Sequence, residues 1–273
     1  MLDQITPLIL TYNEAPNIGR TLAALAWARD IVVVDSFSDD ETLEIASSFP
    51  QVRVFQRAFD SHRNQWEFGL RETGIETPWV LALDADYVVT NEAIAELKEL
   101  KPDESTVGYR AKFNYCIHGK ELHSGIYPPV TVLYRRDAAA YTQDGHTQRV
   151  VLDGRVEELR ARLLHDDRKS PRRWLTSQAR YAELERDRII KREAPNLKDW
   201  LRLCFVVVPL GISFYCLIVR GGVFDGWPGF YYAFQRTLAE LMLSLYLLDS
   251  RCTSLASTRI TAMLQRQSSK TAD

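Results

Sequence analysis

A chain of 273 residues, 46% hydrophobic and 26% charged, is long enough to fold around a sizeable core. Its net charge of −2 hides an asymmetry: residues 1–154 hold 14 Lys and Arg against 23 Asp and Glu, while residues 155–192 hold 12 against 7. An acidic front half argues against nucleic acid as a partner. The basic middle suits a phosphorylated acceptor or an anionic membrane surface. Cys116, Cys204, Cys216 and Cys252 carry no C-x-x-C and no metal-binding spacing, and they fit free thiols in a reducing compartment. No cationic-then-apolar segment opens the chain, so the catalytic part is expected in the cytoplasm.

The pattern then alternates. Ile5 to Leu10 reads as a first strand, Thr11-Tyr12-Asn13-Glu14 as the turn after it, and Pro16 opens a helix with Ile18, Leu22 and Leu25 at helical spacing. Ile31 to Val34 is a β-branched strand ending at Asp35. Ser38 followed by Glu41 has the form of a capping box for a helix to about Ser48. Val52 to Phe55 predicts a third strand, Arg63 to Glu72 a helix, Trp79 to Leu83 a fourth strand, and 92–100 a short amphipathic helix. Such alternation means βαβ units and a parallel sheet covered on both faces, with functional groups gathered where strands end. From Val107 to Arg136 the pattern turns to aromatic-rich β segments, including Tyr109–Phe113 and Val130–Tyr134.

Asp84-Ala85-Asp86 closes the fourth strand. Two carboxylates at i and i+2 on an emerging strand repel each other and lose hydration. A divalent cation bridging them to phosphate oxygens relieves both costs, and hard oxygen ligands suit Mg²⁺ or Mn²⁺. Farther on, Leu203 to Val219 is an uncharged run broken by Pro209 and Gly211, followed by an apolar stretch over Tyr231–Leu248. As a helix the first run reaches about 25 Å, short of a bilayer's roughly 30 Å core. The pair is therefore expected to lie in one leaflet, with a spanning hairpin or a buried helical pair as alternatives.

Thr11-Tyr12-Asn13-Glu14, Val33-Val34-Asp35-Ser36 with Asp39-Asp40-Glu41-Thr42, and Leu83-Asp84-Ala85-Asp86 occur in an order and spacing that resembles family 2 glycosyltransferases of the GT-A fold. The likeness extends through Asp144–Gln148, His165-Asp166-Asp167-Arg168-Lys169 and Gly221–Gly226, where it is similar to the bacterial subgroup that glucosylates lipopolysaccharide core. It implies an α/β, Rossmann-like, mostly parallel sheet flanked by helices, followed by C-terminal membrane-associating helices. The implied division is a catalytic domain over 1–170 (nucleotide-sugar side 1–105, acceptor side 106–170), a helical region over 171–265 and a flexible tail over 266–273. It implies an inverting, metal-dependent transfer of a hexose, glucose foremost, from a UDP-sugar to a glycolipid such as lipopolysaccharide inner core. The enzyme would sit peripherally or monotopically on the cytoplasmic face of the inner membrane.

The same likeness distributes roles. Asp35 would accept from the uracil N–H, with Thr11, Tyr12 and Glu14 lining the nucleoside pocket. Arg63 and Asn64 would lie beneath the diphosphate. Asp86 would ligate Mg²⁺ or Mn²⁺, Asp84 would reach the ribose or the same ion, and His165 would complete the metal site. Inversion needs a base for the acceptor hydroxyl. The acid pair that relatives place after the D-x-D is missing, which leaves Asp144 as first candidate and Asp166 as second. Where relatives carry Glu, this chain has Gln148, and an amide cannot serve. A dinucleotide oxidoreductase would need glycines in Thr11–Asn17, where there are none. A nucleotidyltransferase would need a Gly-rich loop near the N-terminus. A polyprenyl-phosphate transferase and an inactive nucleotide-sugar-binding scaffold remain as alternatives.

Overall fold

The computed structural model describes the backbone of residues 1–144, 147–191 and 196–270, and their side chains except at 143, 144, 147–149, 198 and 254–270. Strand and helix alternate as expected: β1 (Ile5–Thr11), α1 (Ala15–Ala23), β2 (Ile31–Asp35), α2 (Thr42–Ser47), β3 (Val52–Gln56), α3 (His62–Arg71), β4 (Trp79–Asp84), the two-residue β5 (Tyr87–Val88) and α4 (Asn91–Glu99). A strand-rich stretch follows, with β6 (Thr106–Ile117), β7 (Lys120–Glu121), β8 (Val130–Arg135), β9 (Ala139–Asp144), β10 (Thr147–Leu152) and β11 (Arg155–His165). The chain then turns helical: α5 (Pro171–Lys191), α6 (Leu197–Leu203), α7 (Val207–Phe214) and α8 (Trp227–Lys270).

One mixed sheet runs β3-β2-β1-β4-β8-β6-β11-β5, with β7 on the edge of β6. β3, β2, β1 and β4 are parallel. β8 is the reversed strand that joins them to the parallel pair β6 and β11. Period-2 alternation splits every central strand between two cores. Ile31, Val33, Leu81 and Leu83 face one apolar layer with Ile18 and Leu22 of α1, whereas Val32, Val34, Val80 and Leu8 face the other with Trp66 and Leu70 of α3. β9 and β10 form a separate hairpin packed on α3 through the stacked rings of Trp66 and Tyr141, 5.5 Å apart.

The Ser38–Glu41 capping box is not formed. Glu41 stands at the N-cap of α2 without a side-chain bond, and Asp40 accepts from the Thr42 N–H at 3.0 Å instead. Ser38 instead donates its hydroxyl and N–H to the buried Asp35 carboxylate, and its oxygen accepts from the Asn13 N–H rather than from the helix N-terminus.

The uncharged run 203–219 is not one kinked helix. α6 ends at Leu203, Phe205 takes φ 56°, α7 follows, and Tyr215–Val219 form a π-helical turn. Among the described residues no helix is long and apolar enough to cross a membrane. The second apolar stretch does form a helix, and α8 extends it at both ends. α8 reaches Lys270, so the tail expected from 266 is helical to that point, and 271–273 lie outside the described residues. Arg202 anchors α6 between Glu240 of α8 and Glu185 of α5, each at 2.7 Å.

The Gly221–Gly226 motif explains how α8 docks. Asp225 accepts from the N–H groups of His123 and Ser124 and from the Ser124 hydroxyl. A Cβ on Gly229 would overlap the Gly222 carbonyl, so the first turn of α8 lies against bare backbone. Gly229→Ala is expected to lower stability by about 1–3 kcal/mol, read in urea unfolding, because backbone cannot yield as a side chain can.

Candidate active site

The carboxyl ends of β1, β2 and β4 lie side by side, since Thr11 pairs with Asp35 and Leu10 with Asp84. Asp35 is fully buried and accepts from the Thr11 hydroxyl at 2.8 Å, the Ser38 N–H at 2.8 Å and the Ser38 hydroxyl. These bonds tie the β2–α2 loop to β1, with two on Asp35 Oδ1 and one on Oδ2, and the buried Thr11 is part of that tie. Tyr12 is the exposed member of the group, 55% accessible, with the Arg173 guanidinium 6.0 Å from its ring. Arg173 also donates to the carbonyls of Tyr12 and Asn13, which fixes a loop whose Asn13 has φ 55°.

The D-x-D turn is held by a contact that sequence proximity does not foretell. β5 pairs with the end of β11, His165 opposite Tyr87, and the Asp166 N–H donates to the Asp86 carbonyl at 2.9 Å. This register brings His165 Nε2 to 3.4 Å from Asp86 Oδ2. Three tyrosines box the imidazole: Tyr127 stacked at 4.6 Å, Tyr115 at 4.8 Å and Tyr87 at 5.6 Å, with the Tyr87 and Tyr127 hydroxyls bonded to each other. From the loop beyond, Lys169 Nζ bonds Glu14 at 2.7 Å and lies 3.5 Å from Asp167 and 4.0 Å from Asp86. Asn17, buried on α1, donates to both Glu14 and Asp167 at 2.9 Å and closes the ring.

The electrostatics separate the two acids of the motif. Burial and then the neighbouring Asp86 push the Asp84 carboxyl up to about 6. Burial works the same way on Asp86, but His165 and Lys169 outweigh it and hold that carboxyl at about 2. Burial opposes charge on His165 and Lys169 in turn, and Asp86 raises both. Burial raises Glu14 despite Lys169. The centre is thus a packed set of alternating charges around Asp86.

A divalent cation fits this donor set in a limited way. Asp86 Oδ1 and His165 Nδ1 are buried with no hydrogen-bond partner, a cost native interiors rarely leave uncompensated. Yet among the described residues no three His, Cys, Asp or Glu side chains are arranged to hold a metal ion. The arrangement matches a cation taken by one or two carboxylates and completed by a ligand's phosphates, the usual mode of Mg²⁺.

Asp166, second candidate for the base, lies enclosed beside two guanidiniums. It is 4% exposed, accepts from Arg168 at 2.7 Å and from the Gly119 N–H, and faces Arg20 at 3.4 Å. Both of its oxygens are engaged, Oδ1 by the Gly119 N–H and Oδ2 by Arg168, which leaves little room for an acceptor hydroxyl. Asp144 ends β9, which climbs along α3 from Arg71, bonded to the Ala139 carbonyl, past Glu67, bonded to the Tyr141 N–H. The strand thus heads for the rim of β1, β2 and β4, but the Asp144 side chain and Gly145–His146 lie outside the described residues. Arg63 and Asn64 are exposed on the first turn of α3, Asn64 bonded to Asp60 at 3.0 Å. Burial and Arg180 lower the His62 pKa, while burial and Asp84 raise that of Tyr181, the next residue.

Lys169, Asn17, Arg173 and the tyrosine box were assigned no role from sequence. A hint for Lys169 lay in its place four residues past His165, for Asn17 in a polar residue beside Ile18 on the buried stripe of α1.

A sheet covered on both faces, with acids and a lysine at the carboxyl ends of its parallel strands, defines a GT-A-like α/β fold with a mixed, curled sheet. The chain belongs to glycosyl transferase family 2, whose model matches residues 8–150. An "uncharacterized glycosyltransferase" of Rickettsia bellii is 28% identical over 145 residues, 50% of this chain and 48% of the relative, so the match spans about half of each. A mannosyltransferase from Pyrobaculum calidifontis, solved in complex with GDP-Man and Mn²⁺, shares the fold with a TM-score of 0.51 at 14% identity, over 90% of this chain and 87% of that one.

Proposed function

We propose that the protein is an inverting glycosyltransferase that moves a hexose, glucose foremost, from a UDP-sugar to a membrane glycolipid such as lipopolysaccharide inner core. The observation that carries this reading is the unpartnered Asp86 Oδ1, set beside Asp84, His165 and Lys169 at the strand ends. Asp86 and Asp84 would hold Mg²⁺ or Mn²⁺, with His165 braced against Asp86, and the ion would neutralise charge on the departing diphosphate. The mannosyltransferase bound to Mn²⁺ on the same fold supports the choice of cofactor. Lys169 supplies a second positive charge to that diphosphate, exposed Tyr12 offers a ring for the base, and Arg63 and Asn64 flank the mouth.

In the reaction the acceptor oxygen forms a bond to the anomeric carbon as the bond from that carbon to the diphosphate oxygen breaks. The hydroxyl's proton passes to a carboxylate, and Asp144 is the candidate left once Asp166 is occupied. Asp144→Asn is expected to lower kcat by about 10²-fold or more with donor affinity kept. A variant rate equal to wild type moves the base elsewhere.

The acceptor's class rests on the surface of the C-terminal helices. Leu210, Phe214, Phe224, Phe234 and Leu245 are all more than 60% exposed, far beyond the scattered apolar residues of an ordinary surface. We read this face as seated in one leaflet on the cytoplasmic side. Replacing Leu210, Phe214 and Phe234 together by Asp is expected to abolish co-sedimentation with anionic vesicles, and undiminished binding refutes the seat. The transfer reading is tested by a calorimetric screen of nucleotide-sugars with and without Mn²⁺, then transfer to truncated lipopolysaccharide. No heat with any UDP compound overturns it.

A further inference from the structure

We infer that Asn17 is a positioning residue: its side-chain amide holds the two carboxylates that share Lys169, and so sets the ammonium where the diphosphate is proposed to sit. This rests on the transferase reading above. β11 ends at His165 and α5 starts at Pro171, so residues 166–170 between them have neither strand nor helix to place them. Yet Lys169, within that segment, lies 4.0 Å from Asp86. Two residues of α1 tie the segment down. The Arg20 guanidinium donates to the Asp166 carbonyl at 2.8 Å, and Asn17 Oδ1 accepts from the Arg168 N–H at 2.9 Å.

A side-chain amide offers two protons and two acceptor positions. Asn17, fully enclosed, uses all four. Nδ2 donates to Glu14 and to Asp167 at 2.9 Å each, while Oδ1 takes the Arg168 N–H and, at 3.0 Å, Arg20. Glu14 and Asp167 are the acids that flank the Lys169 ammonium, at 2.7 and 3.5 Å. The Asp167 Oδ1 that Asn17 holds also accepts from the Lys169 N–H at 3.0 Å. Displacing the amide therefore releases both anchors of the lysine at once. An aspartate in its place would face two carboxylates, and a leucine would give neither acid a donor in a buried site. One turn further along α1, the buried Thr21 hydroxyl donates to the Ala85 carbonyl, inside the D-x-D, at 2.7 Å. Residues four apart share a helix face. One face of α1 thus braces the lysine segment through Asn17 and the D-x-D through Thr21, which fixes Lys169 relative to Asp86.

The test is a double-mutant cycle on UDP binding, read by calorimetry of the full chain with Mn²⁺ present. Asn17→Ala is expected to bind UDP about five- to tenfold more weakly than wild type. In a Glu14→Gln, Lys169→Met chain the same change is expected to cost less than about twofold, because the group it positions is gone. That background is chosen because Glu14→Gln removes an acid that Lys169→Met would strand. Asn17→Ser is expected to show the same pattern, since a hydroxyl has one proton and cannot donate to both acids. It covers the case in which Asn17→Ala does not fold. A residue that serves the fold alone gives the same loss in both backgrounds, or none in either, and each of those results overturns the inference. Wild-type binding is measured first. Its absence refutes the donor reading and this inference with it, whereas wild-type binding that the Asn17 variants keep refutes only this one.

Discussion

Asp86→Asn should cost about 10²–10³-fold or more in kcat/KM, several kcal/mol of transition-state stabilisation, while the fold survives. The substitution keeps the size of the side chain and an oxygen for His165, and removes the charge that makes Oδ1 worth leaving unpartnered. Two readouts separate its meaning. Mn²⁺ titration in the presence of UDP should lose its heat, and thermal unfolding should move only modestly, since an amide can still accept from Nε2. The paired variant Asp84→Asn is expected to be milder. Burial and Asp86 push its carboxyl up to about 6, whereas His165 and Lys169 favour the charge on Asp86, so the charge the site is built to hold is that of Asp86. Unchanged turnover in Asp86→Asn would remove the centre from the mechanism altogether.

The part of this site that could be read from sequence is the part written in local pattern. β-branched and apolar runs ending in Asp35 and Asp84 announced strands, and strands that alternate with helices bring their carboxyl ends to one edge. That is why Thr11–Glu14, Asp35 and Asp84–Asp86 were rightly placed together. The rest depends on contacts between distant segments. β5 is two residues long and has no periodicity of its own, and only its pairing with β11 puts His165 on Asp86. Glu14 and Lys169 are 155 residues apart. Ser38 and Glu41 show the opposite failure, where a true local signature lost to a buried carboxylate that needed the hydroxyl more. In the C-terminal region composition revealed apolar character. It could not reveal that Phe205 at φ 56° and a π turn would break the run into short pieces with exposed faces.

Lys169 is the residue whose replacement should be most revealing, because structure and chemistry make opposite forecasts for a double variant. Lys169→Met leaves Glu14, Asp86 and Asp167 facing one another in a site largely cut off from water. At 4 Å each lost pair is worth about 4 kcal/mol at an effective dielectric near 20, and breaking such a buried set by removing one partner costs about 3–5 kcal/mol of stability. Glu14→Gln in the same chain removes one of the stranded acids and should return much of that stability in urea unfolding, a coupling that only neighbours show. If Lys169 served the fold alone, turnover and UDP affinity would return with it. Because its ammonium lies 4.0 Å from Asp86, where the diphosphate is proposed to sit, they should not. The double variant is expected to fold near wild type yet bind UDP about tenfold or more weakly, with kcat/KM still down about 10²-fold, since a charge-assisted bond to phosphate has no substitute in methionine. Full recovery of UDP binding in the double variant would reduce Lys169 to a counter-ion for Glu14.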